Sequence, residues 1–148
     1  MVIRDEEGRV VAALSKMLPL HYPAECTELF AMEQGVLLAQ EMELSNVIFK
    51  TDALSVIQAI SQDLSGSEMG HLIQGIQLAK ASFNSCSFHH LKRDYNRVAH
   101  ELAQFDKCNH ANQTWEGCFS TLCSSSDSIR PKLISVFAFG LCCTPFVV

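Results

Sequence analysis

Asn46-Val47-Ile48-Phe49-Lys50-Thr51-Asp52-Ala53-Leu54 is the stretch whose reading sets the fold class. Val47-Ile48-Phe49 is a short apolar run that ends at the polar pair Thr51-Asp52, the pattern of a buried strand stopping at a polar site. Leu54, Ile57 and Ile60 then recur at helical spacing and predict a short helix after it. Immediately upstream, from Ala24 to Glu43, the stripe Leu29, Met32, Val36 and Ala39 predicts a longer helix, broken at Ser45-Asn46. Further upstream, Met1 to Arg4 and Arg9 to Lys16 flank Asp5-Glu6-Glu7-Gly8. This reads as strand, tight turn, strand, with Gly8 supplying the residue that tolerates positive φ.

Downstream, Met69, Leu72, Ile73, Ile76 and Ala79 mark another helix after Ser65-Gly66-Ser67. Ser85 to Lys92 alternates as a strand, with Cys86, Phe88 and His90 on one side. Tyr95 to Phe105 is helical again through Val98, Ala99, Leu102 and Phe105. A hairpin followed by alternating helices and strands predicts an α/β domain, a mixed sheet flanked by helices.

Past Lys107 the character changes. Ser124-Ser125-Ser126-Asp127-Ser128 is linker-like, and Leu133 to Val148 is strongly apolar but broken by Gly140 and Pro145. The expected organisation is therefore a domain over 1–107 and an irregular tail over 108–148 with an apolar C-terminal segment. That segment is shorter than the roughly 20 apolar residues of a membrane-crossing helix. It reads as a strand added to the core or as an unstructured tail.

The 148 residues suffice to bury a core, and an apolar share of 48% with 18% charged residues is that of a globular chain. The net charge of −5 excludes a global positive field, so any nucleic-acid contact needs a local basic patch. Seven cysteines is an odd number, and the opening residues hold no apolar signal-peptide core. Both features predict an intracellular chain, nuclear or cytosolic, with free thiols. Cys108, His110, Cys118 and Cys123 lack the paired spacing of a zinc site.

Three patterns stand together in order: Thr27-Glu28-Leu29-Phe30-Ala31-Met32-Glu33-Gln34-Gly35-Val36, Asn46 to Leu54, and His90-Leu91-Lys92-Arg93-Asp94-Tyr95-Asn96-Arg97-Val98-Ala99-His100-Glu101-Leu102-Ala103. With the opening Val-Ile-Arg-Asp-Glu-Glu-Gly, they resemble the type 1 ribonuclease H family, especially its plant retroelement-like branch. The resemblance spans about Val2 to Phe105. It implies a nuclease domain that cleaves the RNA strand of RNA–DNA hybrids with two Mg²⁺ ions on four acidic residues and no small-molecule cofactor. Mg²⁺ is hard and prefers oxygen ligands, and two such ions can activate water and stabilise the leaving oxygen.

Carried over by position, the resemblance implies Glu28 and Asp52 as catalytic metal ligands. Taken alone, Glu28 also suits an acid near a helix N-terminus, and Asp52 an N-cap for the helix beginning near Ala53. His100 falls where the family's last acid stands, a feature of the plant branch; the readings for it are assistance in product release, proton transfer, or a cap on the helix surface. Lys92, Arg93, Asn96 and Arg97 form the compact basic and amide cluster expected to meet phosphates. His89 and His90 lie on opposite faces of their strand and receive no role. On this reading the chain is truncated at its N-terminus and lacks the family's first, central strand with its acid. The apolar segment around Ile134 to Leu141, rich in β-branched and aromatic residues, is a candidate to occupy that gap. The alternative functions are a non-catalytic nucleic-acid-binding or interaction module and an inactive retroelement-derived fragment.

Overall fold

Asp5 starts the architecture. Its carboxylate accepts the backbone N–H groups of Glu7 (3.1 Å) and Arg9 (2.8 Å), while Gly8 takes φ +79°. This Asx-type turn folds β1 (Val2–Arg4) back on β2 (Val10–Ser15), antiparallel and with a register shift between Ile3 and Arg4. The computed structural model describes residues 1–16, 18, 22–62, 66, 69–96, 113–116 and 133–138. Within them follow α1 (Ala24–Glu41), β3 (Asn46–Thr51), α2 (Leu54–Ser61), α3 (Gly70–Lys80), β4 (Ser85–His90), a 3₁₀ turn (Arg93–Asn96), β5 (Gln113–Glu116) and β6 (Ile134–Phe137).

The strands form one mixed sheet in the order β4-β3-β6-β1-β2-β5. β3 and β4 are parallel, as are β3 and β6, whereas β6 and β1 are antiparallel. This is the helix-flanked mixed sheet that the element order predicts. The two described stretches beyond residue 107 are both strands of it. β6 lies between β1 and β3, where the central strand was expected to be missing. Its backbone pairs on both sides, and Ala138 N–H extends the ladder to Lys50 O at 2.8 Å.

The core follows from strand alternation. Val47, Phe49 and Thr51 of β3 are buried, and so are Ile134, Val136 and Ala138 alongside them. Phe49 stacks on Phe88 of β4, with ring centroids 5.2 Å apart, and meets Phe83 edge-on at 5.9 Å. α1 covers this face with Leu29, Met32, Val36 and Ala39, the stripe legible in its spacing. It comes closest to the sheet at Gly35, where an added Cβ would stand 3.2 Å from Val136 Cγ1. On the opposite face of β6, Phe137 lies under the Arg4 and Lys50 cations, 5.5 and 5.0 Å from its ring centroid.

Two details differ from the periodic reading. α2 buries Val56 and Ile60 and leaves Leu54 half exposed, because the helix is rotated relative to the Leu54-Ile57-Ile60 stripe. Around Tyr95 the chain forms the 3₁₀ turn, and the rest of the helix expected to Phe105 lies outside the described residues.

Candidate functional site

Asp52 directly follows β3, at the C-terminal ends of the parallel strands β3 and β4. In open α/β sheets this is the edge where ligands gather, because strand-to-helix turns expose polar groups there. Thr51, fully buried, shapes the turn: its Oγ1 accepts the Ala53 N–H at 3.1 Å. The N-cap residue of α2 is Ala53, with no side-chain cap. The N-cap reading of Asp52 therefore fails, and Thr51 holds the turn instead. The Asp52 side chain is 11% exposed.

Glu28 lies near the start of α1, half-buried, with its Oε2 closed off from solvent. Chain geometry sets its level in the layer. α1 packs against β3, and only residues 42–45 join them, so the chain reverses there. Going back from Glu41 to Glu28 along a helix covers about 20 Å at 1.5 Å per residue. Going forward from Asn46 to Asp52 along a strand covers about 20 Å at 3.3 Å per residue. Both carboxylates therefore sit toward the same end of the helix–sheet layer.

The basic cluster reaches this end through pairing of β3 with β4. Thr51 pairs with His90, and Leu91 N–H donates to Thr51 O at 3.0 Å. The 3₁₀ turn thus begins beside Asp52. Arg93 Nε stands 4.0 Å from Asp52 Oδ2, with the arginine side chain 64% exposed. Lys92 is exposed. Asn96 ends the turn, while its side chain, Arg97 and His100 lie outside the described residues. His89 approaches Ser87 Oγ at 3.1 Å and His90 is exposed.

A family model described as reverse transcriptase-like matches residues 1–106. The chain belongs to that family. In this reverse transcriptase-like, ribonuclease H-like domain, the matched residues supply β1 to β4 and α1 to α3, and β6 comes from outside the matched range. Neither the curated proteins nor the solved structures contain a match to the chain.

The Mg²⁺ that the resemblance implies can be weighed against the donors present. Glu28 and Asp52 both offer hard carboxylate oxygens. Among the described residues no group of three His, Cys, Asp or Glu side chains is placed to hold a metal ion. β6 adds no acid, since Ile134, Ser135, Val136, Phe137 and Ala138 carry none. Where Mg²⁺ is bound through only one or two carboxylates, water and substrate phosphate usually complete its shell.

Periodicity gave no sign of two of the polar residues that shape the fold. Thr51 is one, visible only as a threonine before an aspartate at a strand end. The other is Asp5, an acid used entirely for structure. Burial acts to raise its pKa, but the Arg9 side chain at 2.7 Å, the Arg9 and Glu7 backbone N–H groups and the Arg9 charge together hold it below the ordinary value. Its Asp-x-x-Gly-Arg spacing is the signal that could have marked it.

Proposed function

We propose that the chain is a ribonuclease H-type nuclease domain acting on RNA–DNA hybrids, descended from the plant retroelement-like branch. Glu28 and Asp52 hold a divalent cation, Mg²⁺, and Lys92, Arg93, Asn96 and Arg97 contact backbone phosphates. His100 assists product release or proton transfer. The observation that carries this reading is Asp52: a largely buried carboxylate at the C-terminal end of a parallel strand, not used as a helix cap, with a basic turn beside it. The bound cation would supply Lewis-acid polarisation of the phosphate and a more acidic water. The chain's own groups hold that cation and orient the sugar-phosphate backbone across the strand ends. Because phosphate contacts carry no sequence information, binding is expected to be sequence-independent and salt-sensitive. No described helix is long and apolar enough to cross a membrane. The reading places the chain inside the cell, in the nucleus or the cytosol.

A second reading, a hybrid-binding module without catalysis, draws support from β6, which lies in the middle of the sheet and carries no carboxylate. One assay separates the two: incubation of a labelled RNA–DNA hybrid with Mg²⁺, with and without EDTA, for the native chain and Asp52→Asn. The expected result is cleavage of the RNA strand that EDTA abolishes and Asp52→Asn removes, with hybrid binding retained. Binding that survives EDTA without cleavage selects the module, and loss of both binding and cleavage rejects both readings.

A further inference from the structure

On the sheet face opposite α1, two cations converge on one ring. The Arg4 guanidinium lies 5.5 Å and the Lys50 ammonium 5.0 Å from the Phe137 ring centroid. Strand register explains the meeting. Phe137 of β6 pairs with Lys50 of β3, and Arg4 of β1 pairs with Ser135, two residues back along β6 and on the same face. Beyond Lys50, its β4 partner His89 adds an exposed imidazole. Arg4, Lys50 and Phe137 are each half-buried, so part of every side chain stays open to solvent.

Neither cation has a carboxylate partner. The ion pairs of the described residues engage Arg9 and Arg93, and the one further contact of these two cations is Arg4 Nη1 donating to Gly8 O at 3.3 Å. The paired positions around them, Ile48, Ser87, His89 and Ser135, hold no acid, although the chain has 16 and a net charge of −5. Like charges gathered without a counter-charge repel, and a shared anion relieves that repulsion. An aromatic ring between cations further suits a nucleic-acid strand, which offers phosphates to the charges and a base or sugar to the ring.

We propose that Arg4, Lys50 and Phe137 form a second nucleic-acid-binding face, which takes the phosphates of a single strand. It lies apart from the strand-end cluster around Asp52 and needs no metal ion. Binding there is sequence-independent.

The test is fluorescence anisotropy of a labelled 12-nucleotide single strand with the full chain, in EDTA throughout and across a salt series. Arg4→Gln and Lys50→Gln are each expected to lower the salt slope by about 0.7, the value of one phosphate contact on a single strand. Arg4→Lys and Lys50→Arg keep the charge and are expected to keep the native slope. Phe137→Leu is expected to weaken binding about fivefold or more with the slope unchanged, the scale of a lost stacking contact. Lys80→Gln, on α3, is expected to match the native chain and controls for loss of charge in general. A thermal melt of each variant separates lost contacts from lost folding. If Arg4→Gln and Lys50→Gln melt and bind as Lys80→Gln does, the face is overturned, whatever becomes of the strand-end site. Displacement of the strand by inorganic phosphate at matched ionic strength, as effective as by unlabelled oligonucleotide, also overturns it and leaves a simple anion site.

Discussion

The middle of the sheet and its polar edge make different demands on sequence. Between β1 and β3, β6 needs only backbone donors and acceptors on both sides and an apolar side chain at every second position. Ile134, Val136 and Ala138 meet that demand, and many other apolar residues would serve as well. At the end of β3 the demand is for particular oxygens: Asp52 as a candidate ligand and Thr51 to hold the turn. Backbone pairing is indifferent to side-chain identity, whereas a metal site depends on named atoms. A sheet can therefore be filled by a strand from far along the chain, while the chemistry of its edge still depends on a few particular side chains.

Breaking the middle should produce the largest effect. Val136→Asp would put an unpaired charge at a fully buried position facing α1, and is expected to cost about 4 kcal/mol or more, with loss of cooperative urea unfolding. If β6 were dispensable, Val136→Asp would unfold like the native chain. Next comes Gly35→Leu, whose added atoms meet Val136 Cγ1 and Met1 Sδ within the α1–β6 contact. Overpacking of this kind is expected to cost about 1–3 kcal/mol, and Val136→Ala in the same chain should recover part of it. A double-mutant cycle in urea measures that coupling.

Legibility divides along the same line. The stripe Leu29-Met32-Val36-Ala39, the run Val47-Ile48-Phe49 and the turn residue Gly8 announced helix, strand and turn because burial and backbone conformation impose a period or a residue type. The β-branched and aromatic content near Ile134 marked a strand that could fill the centre, and the structure places β6 there. Gln113 to Glu116 gave no such sign. β5 exists through pairing with β2, and its Thr114 and Trp115 are exposed, so no apolar period marks it. At the site, the position of Asp52 at a strand end was readable, but the choice of Thr51 over Asp52 near the start of α2 was not. That choice depends on side-chain rotation, which spacing does not record.

The remaining predictions sharpen the edge. Asp5 has a folded pKa below its ordinary value of 3.8, so its contribution is fully present above that pH and is lost as the pH falls through the lowered value. Native stability should fall on acidification below about pH 4, and Asp5→Asn should flatten that part of the curve in an acid titration followed by circular dichroism. Smallest in stability is Asp52→Asn, expected to shift unfolding by no more than about 1 kcal/mol because its described ion pair is long and exposed on one side. A large destabilisation by Asp52→Asn would turn the residue from a candidate ligand into a scaffold element.

The placement of β6 also sets a schedule for biosynthesis. β1 is translated well before β6, one of its two sheet neighbours, which follows more than a hundred residues later. At about 5–20 residues per second, the facing edges of β1 and β3 wait on the order of ten seconds for the strand that joins them. During that interval the nascent chain presents two open ladders, the kind of edge that chaperones engage.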